Sequence, residues 1–412
     1  MTARGSIGSS AAAVALVAML IANYIVSQFL RNSIGVIAPN LAQELTLTPA
    51  QIGLLSSMFF FLFAVVQIPL GMALDRFGPR ICLTAGAAVT VLGCIAFASA
   101  ATPPGLIAAR ALMGLGTAGA LVGALTVYAR RFPAHRFATL TGLQVGVGTL
   151  GALIATAPLG FAAAAIGWRE SFLVVAAFAL IVGCFIPLVL RKDGPHRRAE
   201  TMRESLAGTV AVMRTPSIGR LFAMSLVVYS SFGLVAGLWG GPYLAHVYGY
   251  GLEQRGGFLL VSVIGHIIGN MAWGPMDRLV GSYKAPALIG AGISAATLAY
   301  LAIVGTLSPA ALALWFAAFG FAAAFGPLVI GHAKSLCAPD QVGRGLTVFN
   351  MGTMGGTFLT QAISGLVIGL FPAAADGSYE LAAYRAVFAL QAGLILLVSL
   401  IYFGSRDPLK KL

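Results

Sequence analysis

The chain has 412 residues, of which 59% are hydrophobic and only 9% are charged, and its mean hydropathy is +0.92. Soluble globular proteins carry about 25% charged residues. A surface this poor in charge excludes a soluble enzyme, a disordered chain and a nucleic-acid-binding module. The composition is that of a polytopic membrane protein.

A helix needs about 20 apolar residues to cross a bilayer core, and twelve segments of the sequence satisfy this length. We number them as spans 1 to 12. They lie near 14–40, 50–73, 81–100, 104–129, 137–163, 169–190, 217–245, 254–275, 285–306, 309–333, 341–371 and 382–404. The sequence therefore predicts an all-α membrane protein with twelve transmembrane helices.

The positions of the positive charges predict the orientation of the spans. If both termini are cytoplasmic, most of the 25 Lys and Arg residues fall on the cytoplasmic side, and only Arg169, Arg255 and Arg385 flank the opposite side. This is the positive-inside pattern of cytoplasmic loops. It explains the net charge of +13 without a nucleic-acid partner. The excess of Arg over Lys favours a bacterial source, so we expect a multi-pass protein of the inner membrane.

A polar stretch at 191–216 separates the spans six and six. We predict an N-terminal six-helix bundle at 1–190, a cytoplasmic loop at 191–216 with a short amphipathic helix near 201–213, and a C-terminal bundle at 217–412. The halves resemble each other, since GTLGALIAT from Gly148 matches GTMGGTFLT from Gly352. Parallel six-helix repeats are a transporter architecture with the substrate site between the halves.

The loop between spans 2 and 3 has a specific pattern of glycines and charges. Its residues are Gly71, Asp75, Arg76, Gly78 and Arg80, and a degenerate copy with Asp277 and Arg278 follows span 8. The chain resembles the major facilitator superfamily in this loop and, over its whole length, in its span pattern. Span 4 adds Arg110 before two glycines, which resembles the second motif of the family.

The resemblance implies twelve helices in two six-helix pseudo-repeats and secondary transport by alternating access. It also implies that Asp75 latches one access state against span 11, while Arg76, Arg80 and Arg278 either assist it or only set topology. Gly71 and Gly78 suit a tight chain reversal. None of these residues is expected to touch substrate.

Glycines recur at helical spacing inside the spans. Two GxGxxG strings, from Gly114 and from Gly146, lie within apolar spans rather than between a strand and a helix, so nucleotide binding is not indicated. Small residues at this spacing let helix backbones approach closely. We expect such contacts at the GxxxG pairs Gly142/Gly146, Gly233/Gly237, Gly265/Gly269 and Gly352/Gly356.

Arg31 is the strongest candidate for a substrate-binding residue. It lies within span 1 and resembles the span-1 arginine of organophosphate and organic-anion porters, where the resemblance implies that it binds the anion. A guanidinium suits this role because its planar fork pairs with carboxylate or phosphate. At helical spacing Tyr24, Gln28 and Asn32 lie near the same face. The alternative is an arginine that extends to the outer interface.

Further polar residues within spans are weaker candidates. Arg110 either braces helices, joins a proton path or contacts substrate. His266, one turn from Asn270, is either structural or a cavity group able to titrate near neutrality. Further candidates to line the same cavity are Trp239, Tyr243, Gln144, Asn350 and Gln361.

The spans contain no deep Asp or Glu, which disfavours cation export and favours a negative substrate facing Arg31. The four scattered cysteines indicate neither a disulfide framework nor a metal site, and we expect no cofactor. The predicted function is transport of a small organic anion, by proton symport or anion exchange, by a monomer in the lipid bilayer. The alternative is a proton-coupled exporter of drugs or neutral metabolites.

Overall fold

The computed structural model describes residues 10–190, 202–337, 342–374 and 377–409, and these residues form helices joined by short connections. Within these ranges ten helices are long and apolar enough to cross a membrane. They are Ala11–Asn32, Gln67–Ser99, Pro103–Arg131, His135–Ile166, Trp168–Val189, Ser217–Tyr248, Leu252–Trp273, Lys284–Val304, Pro309–Leu336 and Leu381–Phe403. The predicted all-α membrane architecture is confirmed.

Two further spans complete the set of twelve. The helix Gln67–Ser99 is broken at Gly78, where φ is 79° and ψ is 165°, a backbone conformation that glycine adopts without steric strain. Its first part joins Pro49–Val65 to form span 2, and the remainder is span 3. Span 11 is Val342–Ile368, which falls outside the ten because its Gly, Thr and Gln residues make it less apolar. An even number of spans places the first and last described residues, Ser10 and Leu409, at the same end of the molecule.

Several spans consist of more than one helix. Span 1 comprises Ser10–Asn32 and Ile34–Leu45, and span 7 comprises Pro216–Val228, Ser230–Leu234, the π-helix Val235–Trp239 and Gly240–Tyr248. Span 4 is Pro103–Thr117 with Ala120–Arg131. Span 5 is Ala134–Gly148, Leu150–Ile154 and Ala157–Ile166, and span 10 is Pro309–Ala322 with Gly326–Leu336. Irregular backbone of this kind is tolerated at membrane depth where it is buried in protein.

The predicted loop between the halves is described from residue 202 onward, and 191–201 lie outside the described residues. It contains the helix Met202–Met213, which packs against span 11 and against Gln67–Ser99. A Cβ on Gly208 would lie 2.8 Å from Cζ of Arg344. This helix therefore contacts elements of both halves at the end that carries the termini, which we call the inner end.

Close glycine contacts join the helices within each bundle. Gly269 of span 8 packs on Phe321 of span 10, where an added Cβ would lie 2.5 Å from the carbonyl oxygen. Gly265 and the pair Gly352/Gly356 make equally close contacts, as the sequence predicts. The prediction is wrong for Gly142/Gly146, because no heavy atom lies within 4 Å of a Cβ at either position. At Gly233 and Gly237 the nearest atoms belong to side chains, at 3.3 and 3.8 Å, so helix backbones do not approach closely there.

The two bundles touch tightly at the outer end. A Cβ on Gly160 would lie 2.7 Å from the Leu252 carbonyl oxygen, and a Cβ on Gly256 would lie 2.8 Å from Cα of Ala157. Gly241 of span 7 approaches the Gly35 carbonyl of span 1 in the same way. We call this line of contacts the outer seam. At Gly142, Gly146 and Gly355, by contrast, no heavy atom lies within 4 Å of an added Cβ.

Candidate functional site

Arg31 occupies the last turn of helix Ser10–Asn32, directly before the break in span 1. Its side chain is 8% exposed. Its Cζ atom lies 4.9 Å from the ring centroid of Phe63 and 5.6 Å from that of Tyr229, and cation–π attraction favours this position. Because Phe63 belongs to span 2 and Tyr229 to span 7, the guanidinium lies between the two bundles. This position differs from an arginine that extends to the outer interface.

Arg31 has no acidic partner among the residues that the structure describes. At the outer end, by contrast, Arg169 forms an ion pair with Glu44 at 2.8 Å. The Nε atom of Arg31 is buried and has no hydrogen-bond partner. A buried charge without a counter-charge costs several kcal/mol in proteins, and its presence within a span marks a functional site. The planar N–H groups suit a carboxylate, sulfonate or phosphate.

Arg110 places a second guanidinium beside the first. Its Nη1 donates to the carbonyl oxygen of Leu30 at 2.7 Å, and its Cζ lies 4.9 Å from the Phe59 ring. Phe59 and Phe63 stack with centroids 6.2 Å apart and an interplanar angle of 24°. The two guanidiniums therefore rest on adjacent rings one turn apart in span 2. Nε and Nη2 of Arg110 are buried without partners, so both cations contribute positive potential here.

A hydrogen-bonded link next to Arg31 connects the two bundles. The Tyr229 hydroxyl donates to Oδ1 of Asn32 at 3.2 Å. Nδ2 of Asn32 donates to the carbonyl of Gln28 at 2.9 Å. The link crosses from span 7 to span 1, so any separation of the bundles at this depth breaks it.

The remaining predicted residues of span 1 face span 5. Gly148 packs directly on the ring of Tyr24, and a Cβ on Gly151 would lie 2.9 Å from Cβ of Gln28. Oε1 of Gln28 is buried and has no partner. Tyr24 and Gln28 therefore lie where spans 1 and 5 meet, two turns and one turn, respectively, toward the inner end from Arg31.

A sequence model of the Major Facilitator Superfamily matches residues 20–265, which is more than half of the chain. The chain belongs to the Major Facilitator Superfamily. The superfamily relatives include the probable sulfoacetate transporter of Cupriavidus necator, 26% identical over 62% of this chain and 63% of that protein. The 3-(3-hydroxy-phenyl)propionate transporter of Escherichia coli is 27% identical over 87% of this chain and 89% of its own. The chain spans less than two thirds of the sulfoacetate transporter that it matches.

Solved structures of the superfamily have the same fold. A bacterial homolog of the human lysosomal transporter Spinster, inward-facing and unoccupied, superposes with a TM-score of 0.75 at 20% identity, covering 96% of this chain and 97% of that one. The nucleoside transporter NupG gives a TM-score of 0.73 at 12% identity, covering 95% and 98%. At these identities the likeness concerns the fold alone. These matched proteins are transporters, not enzymes.

A row of aromatic rings leads from Arg31 into the C-terminal bundle of this superfamily member. Tyr229 lies 6.1 Å from Phe232, and Phe232 stacks on His266 at 4.1 Å with an interplanar angle of 23°. His266 Nδ1 lies 3.3 Å from the carbonyl oxygen of Gly320; since a carbonyl only accepts, Nδ1 carries the proton. Asn270 donates to the His266 carbonyl at 2.9 Å. His266 and Asn270 therefore lie two rings away from Arg31.

Two predicted cavity residues instead tie helices within a bundle. Gln144 is fully buried, accepts from the Tyr128 hydroxyl at 2.6 Å and donates to the Leu20 carbonyl at 3.0 Å. Gln361 is also fully buried and donates to the Gly233 carbonyl at 2.9 Å. Each amide holds a discontinuous span against its neighbour. Neither belongs to the group that we call the Arg31 cluster, which consists of Arg31, Asn32, Phe63, Arg110 and Tyr229.

The other predicted cavity residues also lie outside the Arg31 cluster. Trp239 is buried and donates to Ser364 at 2.7 Å. Tyr243 is buried and donates to the Gly305 carbonyl at 2.7 Å. Asn350 is half-buried in the inner third of span 11. Trp239 and Tyr243 therefore lie in the C-terminal bundle nearer the outer end than Arg31, and Asn350 lies nearer the inner end.

The superfamily loop motif lies at the inner end, far from Arg31. Asp75 is half-buried and pairs with none of the described residues; the four residues 338–341 before span 11 lie outside them. Arg76 rests on its neighbour Phe77, with Cζ 5.3 Å from the ring. In the degenerate copy, Oδ1 of Asp277 accepts from the Arg278 backbone N–H at 2.8 Å.

Gly71 and Arg80 are the remaining glycine and arginine of the motif, and neither makes a ring or carboxylate contact with the described residues. Open space surrounds the position of a Cβ on Gly71, so the tight chain reversal rests on Gly78. The backbone carbonyl of Arg80 accepts from the Thr84 hydroxyl at 2.8 Å, which is a contact within span 3. The latch predicted for Asp75 is therefore not engaged with any described residue.

Two aromatic residues of the Arg31 cluster were not predicted from the sequence. Phe63 is one of many aromatic residues in an apolar span, and no local signal distinguishes it. Tyr229 has a usable signal, because Tyr229, Ser230 and Ser231 interrupt the apolar run of span 7 at its centre. The structure places a helix break at that point.

Proposed function

We propose that the chain is a secondary active transporter of a small organic anion, and that its two six-helix bundles expose a central site alternately to the two sides of the membrane. The observation that carries the proposal is Arg31, a buried guanidinium between spans 1, 2 and 7 with no counter-charge among the described residues. An anionic substrate supplies that counter-charge. Arg110 supports it by fixing the Leu30 carbonyl and adding positive potential.

The names of the relatives favour a carboxylate as the substrate group that this site binds. Their names include transporters of sulfoacetate, hexuronate and 3-(3-hydroxy-phenyl)propionate, and each of these compounds carries at least one carboxylate. A carboxylate accepts two parallel N–H bonds from one guanidinium, and the rings of Phe63 and Tyr229 provide apolar walls beside it. We therefore propose a carboxylate as the group that Arg31 binds.

The same proposal extends to location and coupling. The charge pattern favours a bacterial inner membrane with both termini cytoplasmic, and we infer that a monomer is the working unit. Coupling is by proton symport, for which His266 is the nearby titratable group, or by anion exchange. Uptake into proteoliposomes driven by an imposed pH gradient supports symport, whereas uptake that requires preloaded anion supports exchange.

Substitution of Arg31 tests the central claim. Charge-assisted hydrogen bonds contribute about 1.5–3 kcal/mol, so Arg31→Gln is expected to weaken binding and transport of the true anion by about 10- to 100-fold. Arg31→Lys keeps the charge but loses the fork, so its effect is intermediate. The assay is uptake of sulfoacetate, glucuronate and 3-(3-hydroxyphenyl)propionate into proteoliposomes.

The exposed residue Arg214 provides a matched control, since Arg214→Gln removes an arginine that lies outside both the site and the loop motif. Unchanged transport by Arg31→Gln would refute the proposal. Thermal stabilisation of the purified protein by lipophilic cations alone would favour the drug-exporter alternative instead.

A further inference from the structure

A third buried guanidinium lies at the outer seam. Arg255, near the start of span 8, is 4% exposed. Its Nη2 donates to Oδ1 of Asn40 in span 1 at 3.0 Å, which links the two bundles. Its Nε and Nη1 are buried and have no hydrogen-bond partner. Three N–H groups of the guanidinium are thus left without an acceptor.

The other two arginines of the outer end differ from Arg255. Arg169 pairs with Glu44 at 2.8 Å and donates to two backbone carbonyls at 2.9 Å. Arg385 donates to the carbonyls of Ala302 and Ile303. Arg169 thus has a carboxylate as its counter-charge, and Arg385 is exposed and has carbonyl acceptors. Arg255 is the buried one of the three, and the described residues place no carboxylate beside it.

A polar cavity of about 570 Å³ lies beside Arg255 and is walled by both bundles. Span 1 and the start of span 2 contribute Asn40, Gln43, Thr46 and Thr48. The end of span 7 and the connection before span 12 contribute further polar groups, among them Tyr379. Its described lining residues include no carboxylate. The volume is in the range of small-molecule sites, about 300–1,000 Å³.

We propose that this cavity is a second anion-binding site, in which Arg255 holds the carboxylate or sulfonate group of a small organic anion. The proposal rests on the proposed function for the class of anion, and on the unpaired guanidinium for the site itself. Because Asn40 and Arg255 belong to different bundles, the complete site exists only while the outer seam is closed. A ligand that binds one state preferentially shifts the population toward it, so the bound anion stabilises the closed seam.

The test is the thermal stability of the purified full-length chain with sodium sulfoacetate and sodium glucuronate as probes, against sodium chloride at equal ionic strength. Arg31→Gln removes the central site, so the stabilisation that remains reports the outer one. We expect Arg31→Gln to keep part of the shift in melting temperature, and Arg31→Gln with Arg255→Gln to lose it. Loss of the whole shift in Arg31→Gln alone would overturn the outer site, as would a shift unaffected by Arg255→Gln.

Asn40→Asp is a variant that is expected to stabilise the protein without any bound anion. It places a carboxylate 3.0 Å from the Arg255 guanidinium, where the Asn40 oxygen now lies, and so supplies the missing counter-charge within the protein. We expect a higher melting temperature without anion, and no anion-dependent shift in the Arg31→Gln background. Persistence of that shift would contradict the site. If Arg31→Gln transports normally, the proposed function fails, while the comparison of the Arg255 variants still decides this site.

Discussion

A single carboxylate joins the inner ends of spans 9 and 12. Asp407 accepts from the Ser282 hydroxyl at 2.5 Å and from the Lys284 and Leu409 backbone N–H groups at 3.1 Å. Burial acts to raise the pKa of Asp407, but the hydrogen bonds from Ser282, Lys284, Leu409 and Tyr283 outweigh it, and the pKa lies below its usual 3.8. The ionised form is therefore stabilised in the folded protein.

A carboxyl group whose pKa is lower in the folded than in the unfolded protein stabilises the folded state at every pH above its unfolded-state pKa. That stabilisation is lost as the pH falls through the folded-state pKa. We expect Asp407→Asn to lower the melting temperature at pH 7, and the difference from the unsubstituted protein to narrow below about pH 4. Asp277→Asn is the control, because that carboxylate accepts only from the N–H of its neighbour Arg278. A difference that is constant with pH would contradict this interpretation.

Substitution of Arg110 tests whether the buried charge of this residue serves transport rather than folding. Replacing a buried uncompensated ion with an apolar residue of similar length is often neutral or stabilising. We expect Arg110→Met to leave the melting temperature unchanged or higher, and to reduce anion uptake about tenfold or more through loss of the Leu30 contact and of positive potential. Retained uptake together with a lower melting temperature would show that Arg110 is only a brace.

At the scale of helices, the outer seam depends on the absence of side chains where spans 5 and 8 meet. We expect Gly256→Ala to hold the seam apart, because its Cβ would lie 2.8 Å from Cα of Ala157 and backbone must move. Gly257→Ala is the matched control on the same helix, since a Cβ there has open space. The measurement is maleimide labelling of Ile37→Cys from the outer side, in a background without other cysteines.

Labelling should rise in Gly256→Ala and stay low in Gly257→Ala. Ile37 suits this purpose because it is fully buried and lines a cavity at the outer end. Equal labelling rates in both variants would show that the seam tolerates a methyl group.

Hydropathy predicts the spans well because the bilayer fixes their length, and the same signal cannot predict how spans face each other. The GxxxG pair Gly265/Gly269 packs closely on span 10, whereas Gly142/Gly146, with the same spacing, faces open space. The difference arises from what lies opposite each pair in the folded protein. Hydropathy and glycine spacing carry no information about that.

At the scale of the whole molecule, the least predictable parts of the candidate site are those that both bundles build. Burial of Arg31 follows from a charge within an apolar span. Its partner Tyr229, and the bond from Tyr229 to Asn32, join residues 197 positions apart in sequence. The Asn40–Arg255 link likewise spans 215 positions. Neither follows from local periodicity, because each depends on how the surfaces of the two bundles meet.

The outer seam closes largely through main-chain atoms, at Gly35 with Gly241, Gly160 with Leu252, and Gly256 with Ala157. Glycine has no rotamers to restrict, so forming these contacts freezes little side-chain motion. The loss of side-chain entropy therefore opposes the closure of these contacts little. If the bundles alternate as we propose, a solute that binds one arrangement more tightly by a few kcal/mol is enough to determine which arrangement prevails.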